Sequence, residues 1–114
     1  PYIYREIDIA FQLPYPNQKF KNYGLNVKIF EALATKTPVI ITKSGENADF
    51  LAGSNCFLIT DREPKNIADK VKYLTDNPEL MKKMGENGRK FIKEQFNWEL
   101  YAEKYKAIIK KYLL

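Results

Sequence analysis

Three short apolar runs, separated by segments of helical periodicity, constrain the fold of this chain most strongly. The runs are IDIAFQL at residues 7–13, PVIIT at residues 38–42 and CFLIT at residues 56–60. Each has the length and apolar content of a strand that is buried on both faces of a sheet. Because a helical segment separates successive runs, right-handed crossovers would make the three strands parallel and place helices over the sheet.

The helical segments carry their apolar residues on one face. The first extends from about Leu25 to Ala34, and a short second helix lies around Ala48–Leu51. Three more follow the last strand: one begins near Pro64, one is capped by Asn77 and one is capped by Asn97. The sequence therefore predicts an α/β fold, a Rossmann-like three-layer half-domain with about three parallel strands and about five helices.

Composition limits the chemistry that this fold can carry. With 114 residues, the chain fits a single partial domain over residues 1–114 and cannot form two lobes with a cleft between them. It contains no histidine and one cysteine, which excludes an internal disulfide, a zinc site and a histidine-based catalytic group. We expect no metal and no cofactor, and we expect Cys56 to be a small core residue.

Charge and hydropathy indicate where such a chain resides. The net charge of +5 is spread over many lysines, which favours a solvated surface over nucleic-acid binding. No stretch approaches the roughly 18 apolar residues of a membrane span. We therefore expect a cytoplasmic location, with peripheral membrane association left open for a longer parent protein. The chain begins at Pro1, without methionine, and its sheet would have an unpaired edge, so we expect a missing first part or a second copy to cover that edge.

The segment GLNVKIFEALA, residues 24–34, holds the candidate binding residues. A helix start offers free backbone N–H groups and partial positive charge, which suit a phosphate group. A carboxylate on the same polar face can accept two hydrogen bonds from a ribose diol. The candidate nucleotide-binding residues are Gly24, Leu25, Asn26, Val27, Lys28 and Glu31. The alternative is that Lys28 and Glu31 form only an exposed i,i+3 ion pair, worth about 0.2–0.5 kcal/mol.

Longer stretches of the chain resemble the retaining GT-B glycosyltransferases of group 1, also called family 4. The segment GLNVKIFEALATKTPVI resembles their E-A-x-A-x-G-x-P-V-I signature, and TKSGENADFLAGSNCFLI resembles their T-x-x-G-G-x-x-E-x-I-x-x-G segment. Residues 96–99, FNWE, resemble the F-S-W-E that precedes the family's last helix. This ordered resemblance extends over the whole chain and matches the C-terminal half of the family's nucleotide-sugar-binding domain.

The resemblance implies a donor-binding role. The domain would bind a nucleoside-diphosphate sugar, with Glu31 on the ribose, the diphosphate near Asn26 and Lys28, and Gly45 in the opposite loop. Transfer would proceed with retention to an unknown acceptor, and the remaining groups would come from a missing N-terminal domain. The isolated chain would bind without turnover and would contain no catalytic residue of its own.

Several positions depart from the family pattern. Tyr23 stands where the family has a glutamate that touches the sugar, and Glu46 stands where it has a second glycine beside the phosphates. Lys36 replaces a glycine after the helix, at a cost of about 1–2 kcal/mol if its backbone is left-handed. These departures support an alternative function, a non-catalytic interaction module derived from a glycosyltransferase. A flavodoxin-like receiver or sugar-phosphate binder ranks third, since the chain has no acidic metal pocket and no glycine-rich loop.

The last helix bears on that alternative. We expect Trp98, in its first turn, to pack against the domain. Its aromatic and aliphatic stripe is expected to be core or interface and, without a partner, to drive homo-oligomerisation. The stripe consists of Tyr101, Tyr105, Ile108, Ile109 and Tyr112.

Overall fold

The computed structural model describes residues 2–13, 27–43 and 46–113. Strands and helices alternate in the first half of the chain, and three helices follow the last strand. A 3-10 turn, Ile3–Glu6, precedes the first strand. The strands are β1 (Ala10–Gln12), β2 (Val39–Thr42) and β3 (Phe57–Thr60), and the α-helices are α1 (Val27–Ala34), α2 (Glu46–Phe50), α3 (Pro64–Thr75), α4 (Pro78–Gln95) and α5 (Trp98–Leu113).

The three strands form one parallel sheet in the order β1-β2-β3. Val39 in β2 lies opposite Ala10 on one side and Phe57 on the other. This confirms the predicted α/β architecture. The first strand is shorter than the predicted range of residues 7–13, because the backbone N–H of Ile7 donates to the carbonyl of Tyr4 and closes the 3-10 turn.

The core consists of two clusters of buried residues. One joins α1, the sheet and Ile92 of α4, and the other joins Ile40 of β2, Leu74 of α3 and Met84 of α4. Every residue of β2 is buried, as expected of a central strand that both neighbours cover. Four phenylalanines pack edge to face or tilted beside it, with ring centroids 4.1–5.9 Å apart: Phe30, Phe50, Phe91 and Phe96. Cys56 is buried in this core, as predicted, and burial raises the pKa of its thiol.

Helix α4 approaches the end of α1 closely because it presents two glycines there. A Cβ atom built on Gly85 would lie 2.2 Å from the carbonyl oxygen of Lys36, and one built on Gly88 would lie 2.7 Å from Cδ2 of Leu33. Lys36 itself has φ = 63°, so the residue after α1 is left-handed, which is the condition under which the lysine was expected to cost stability. The chain thus carries a lysine where glycine would be unstrained, and a glycine on α4 makes room for the turn.

Helix α5 differs from its prediction. Trp98 is 88% exposed, so the prediction that it packs against the domain is wrong. No residue of α5 is buried, because the helix leaves the domain after its first turns. Asn97 caps α5 as predicted, accepting from the backbone N–H of Leu100 at 2.8 Å. Asn77 stands at the predicted N-cap of α4, but its side chain donates to the carbonyl of Tyr73 and does not cap the helix.

Within the part of the chain that the structure describes, no helix is both long enough and apolar enough to cross a membrane. Nor do those residues contain a group of three or more His, Cys, Asp and Glu side chains arranged to hold a metal ion.

Candidate functional site

Helix α1 has one buried face and one exposed face. Its buried residues are Ile29, Phe30, Ala32 and Leu33. Val27, Lys28 and Glu31 are exposed, and Val27 retains 64% of its accessible surface. The predicted helical face therefore exists, and the two charged candidates are on it.

The topology places the start of this helix at a favourable edge of the sheet. Because α1 connects two parallel strands, its N-terminal end lies at the carboxyl ends of β1 and β2. In open parallel sheets, ligands bind outside the carboxyl ends of the strands. Val27 and Lys28 are in the first turn of α1 as described, and Glu31 follows one turn later. Lys28 thus lies at this edge of the sheet, and Glu31 lies one turn further along the helix.

Five candidate residues lie outside the described residues: Tyr23, Gly24, Leu25, Asn26 and Gly45. Their predicted contacts with phosphate and sugar therefore stay predictions. Glu46 begins α2, and the prediction of an unfavourable charge beside the phosphates also stays a prediction.

Glu31 has a hydrogen-bond partner that the sequence did not indicate. The hydroxyl of Tyr4, in the 3-10 turn, donates to Oε2 of Glu31 at 3.1 Å. Desolvation, this hydrogen bond and the negative charge of Glu31 raise the pKa of Tyr4 above its ordinary value of 10.0. The hydroxyl is therefore a neutral donor at physiological pH, and the bond is charge-assisted.

Two threonines tie the 3-10 turn to the end of α1. Thr35 Oγ1 donates to the carbonyls of Glu31, at 3.0 Å, and Ala32, at 2.8 Å. Thr37 Oγ1 lies 3.3 Å from Thr35 Oγ1 and donates over a long 3.5 Å to the carbonyl of Tyr4. The two threonine hydroxyls therefore lie side by side, one donating to a carbonyl of the 3-10 turn and the other to the carbonyls of α1.

The profile of the family described as "Glycosyl transferase-like" matches residues 1–107. The chain belongs to this family. An uncharacterised glycosyltransferase of Methanocaldococcus jannaschii is 30% identical to it over 98 residues, which are 85% of this chain and 25% of that protein. The glycosyl transferase-like chain thus spans about a quarter of the length of this curated relative.

Solved structures show the same fold. The sucrose-phosphate synthase of Thermosynechococcus elongatus superposes with a TM-score of 0.81 at 20% identity, over 96% of this chain and 26% of that one. The C-terminal domain of a group 1 glycosyl transferase from Francisella tularensis superposes with a TM-score of 0.69 at 24% identity, over 84% of this chain and 47% of that one. The predicted resemblance to the C-terminal half of a group 1, GT-B glycosyltransferase domain is confirmed.

Proposed function

We propose that this glycosyl transferase-like domain binds the nucleoside diphosphate of a sugar donor and belongs to a retaining glycosyltransferase. The observation that carries the proposal is the exposed carboxylate of Glu31 on α1, one turn from the helix start at the carboxyl edge of the sheet. Membership of the family supports a transferase, and the position of Glu31 supports the donor role.

Each part of the ligand has a complementary group. A helix start offers partial positive charge and backbone N–H groups to a diphosphate, and Lys28, which is exposed in the first described turn of α1, adds a full positive charge. Glu31 accepts hydrogen bonds from the ribose hydroxyls. Lysine and helix dipole together supply the counter-charge for the leaving diphosphate, so the proposal needs no metal ion.

In this proposal the chain contributes binding, and turnover requires more protein. A glycosyl transfer needs an acceptor site and a closed cleft that excludes water. We assign both to an N-terminal domain in a longer parent enzyme, which agrees with the chain's share of its curated relative. In this proposal the choice of acceptor and sugar depends on those parts and on the residue at position 23, which is Tyr23.

Calorimetric titration of the purified chain with UDP and with GDP tests the proposal. We expect saturable binding of one of them at millimolar concentration or below, and weaker binding of the same nucleotide without its 2′- and 3′-hydroxyls. No binding of either diphosphate at millimolar concentration would contradict a donor-binding role. Equal binding of the ribose and dideoxyribose forms would contradict the role of Glu31.

Helix α5 favours a second candidate, a non-catalytic module that self-associates. Large hydrophobic side chains remain exposed along the helix, and a groove of about 520 Å³ lies between its first turns and α1. Soluble monomers seldom expose so continuous an apolar stripe. The exposed residues are Trp98, Tyr105, Ile108, Ile109, Tyr112 and Leu113.

Sedimentation velocity tests this candidate. We expect the fraction of dimer to rise with protein concentration. Changing Tyr105 to lysine should weaken the dimerisation affinity about tenfold or more, because a charge would enter the apolar contact. Tyr73→Lys is the matched control, since Tyr73 is 50% exposed on α3. A chain that is monomeric at every concentration would exclude self-association.

A further inference from the structure

We infer that Tyr4 is a positioning residue for Glu31 and that it sets the preference of this site for ribose. The inference rests on the proposed function, because it concerns how the carboxylate is presented to a sugar diol. Tyr4 does not touch the nucleotide in this proposal. It acts through the hydrogen bond from its hydroxyl to Oε2 of Glu31.

The ring of Tyr4 is well held. It is partly buried and packs against the core cluster that contains Ile29, Phe30 and Leu33. Its carbonyl accepts hydrogen bonds from the N–H of Ile7 and from the hydroxyl of Thr37. The hydroxyl is therefore carried by a ring that packs against the core, on a residue whose carbonyl accepts two hydrogen bonds.

Glu31 is the opposite case, because its side chain is exposed and has three rotatable bonds. A free glutamate of this kind samples many rotamers, and ligand binding must select one of them. The bond from Tyr4 selects a rotamer before the ligand arrives. A carboxylate has about four lone-pair positions, so one donor at Oε2 leaves room for the two hydroxyls of a ribose.

The bond is also charge-assisted, because a neutral hydroxyl donates to a carboxylate. Among the described residues, Glu31 is the side chain to which the Tyr4 hydroxyl donates. Removing the hydroxyl should therefore weaken recognition of the ribose and leave recognition of the phosphates unchanged.

Tyr4→Phe tests the inference, since it keeps the ring and removes the hydroxyl. The purified chain is titrated with the nucleoside diphosphate that it binds and with the 2′,3′-dideoxy form of the same nucleotide. We expect affinity for the ribose form to fall about fivefold and affinity for the dideoxy form to stay unchanged. In a Glu31→Ala background, Tyr4→Phe should have no further effect on either ligand.

Tyr2→Phe is the matched control, because it removes the hydroxyl of an exposed tyrosine two residues away. We expect it to change neither affinity. If Tyr4→Phe lost affinity equally for both ligands, Tyr4 would have a purely structural role and the inference would be overturned. Unchanged affinity for both ligands would overturn it as well. A wild-type chain that binds no nucleotide would overturn the proposed function and the inference with it, whereas a binding wild type with an unaltered Tyr4→Phe overturns the inference alone.

Discussion

Changing Gly85 to alanine should lower the free energy of unfolding by about 2 kcal/mol. The new methyl group would lie 2.2 Å from the carbonyl oxygen of Lys36, and a backbone atom in a tight turn has little freedom to move away. Alanine favours a helix over glycine by up to about 1 kcal/mol, which partly offsets the steric cost of the new methyl group. The net loss of stability is therefore smaller than that steric cost. Urea unfolding followed by circular dichroism measures the change.

Two variants on the same helix calibrate this result. Gly88→Ala meets a side-chain atom, Cδ2 of Leu33 at 2.7 Å, and not a backbone atom, so we expect a smaller loss than for Gly85→Ala. Glu86→Ala changes an exposed residue between them and should stay within about 0.5 kcal/mol of wild type. If Gly85→Ala proved as stable as Glu86→Ala, α4 would not contact the turn after α1 as described.

Changing Glu31 to alanine should weaken nucleoside diphosphate binding by about thirtyfold, which corresponds to about 2 kcal/mol. The variant loses a charged acceptor that takes hydrogen bonds from both ribose hydroxyls. Glu31 is exposed, so the free energy of unfolding should change by no more than about 0.5 kcal/mol. Calorimetric titration measures the affinity, and thermal unfolding shows whether the fold is intact.

Two further variants separate the effect of the negative charge of Glu31 from the effect of its hydrogen-bond acceptors. Glu79→Ala removes an exposed carboxylate from the first turn of α4 and should bind like wild type. Glu31→Gln keeps one oxygen acceptor without the charge, so its affinity should lie between those of wild type and Glu31→Ala. Removing a carboxylate raises the attraction of the protein for an anionic diphosphate, so a general electrostatic effect would strengthen binding in both variants. Loss of binding in Glu79→Ala as large as in Glu31→Ala would indicate an effect that is not local to Glu31, and would argue against a ribose contact there.

The sequence predicted the architecture well because local patterns determine it. Buried strands such as β2 have continuous apolar runs, and α1 has a clear apolar stripe, so type and order of these elements follow from periodicity. The position of Lys36 after a helix raised the question of a left-handed backbone, and its φ of 63° answers it. Family resemblance added the fold class and the glycosyltransferase membership, both of which are confirmed.

Contacts between distant residues were beyond such reasoning. The bond between Tyr4 and Glu31 joins residues 27 positions apart, and no periodicity links a 3-10 turn to a helix. The close approach of Gly85 to Lys36 likewise depends on how α4 crosses α1. Trp98 was assigned to packing because large aromatic residues are usually covered, whereas the last helix leaves the domain and exposes it. The one signal in the sequence is that a tyrosine, Tyr4, precedes the first strand, and that the helix after this strand has charged residues on its polar face.

The order of the strands in the sheet has a consequence for how the domain is made. Since β1, β2 and β3 lie side by side in the order in which they occur in the chain, each strand pairs with the one synthesised just before it. Within the described sheet, no strand has to wait for a distant later segment before it can pair. The loops that strand pairing closes during folding are therefore short. A nascent chain leaving the ribosome can therefore extend this sheet one crossover at a time, with little exposure of an unpaired central strand.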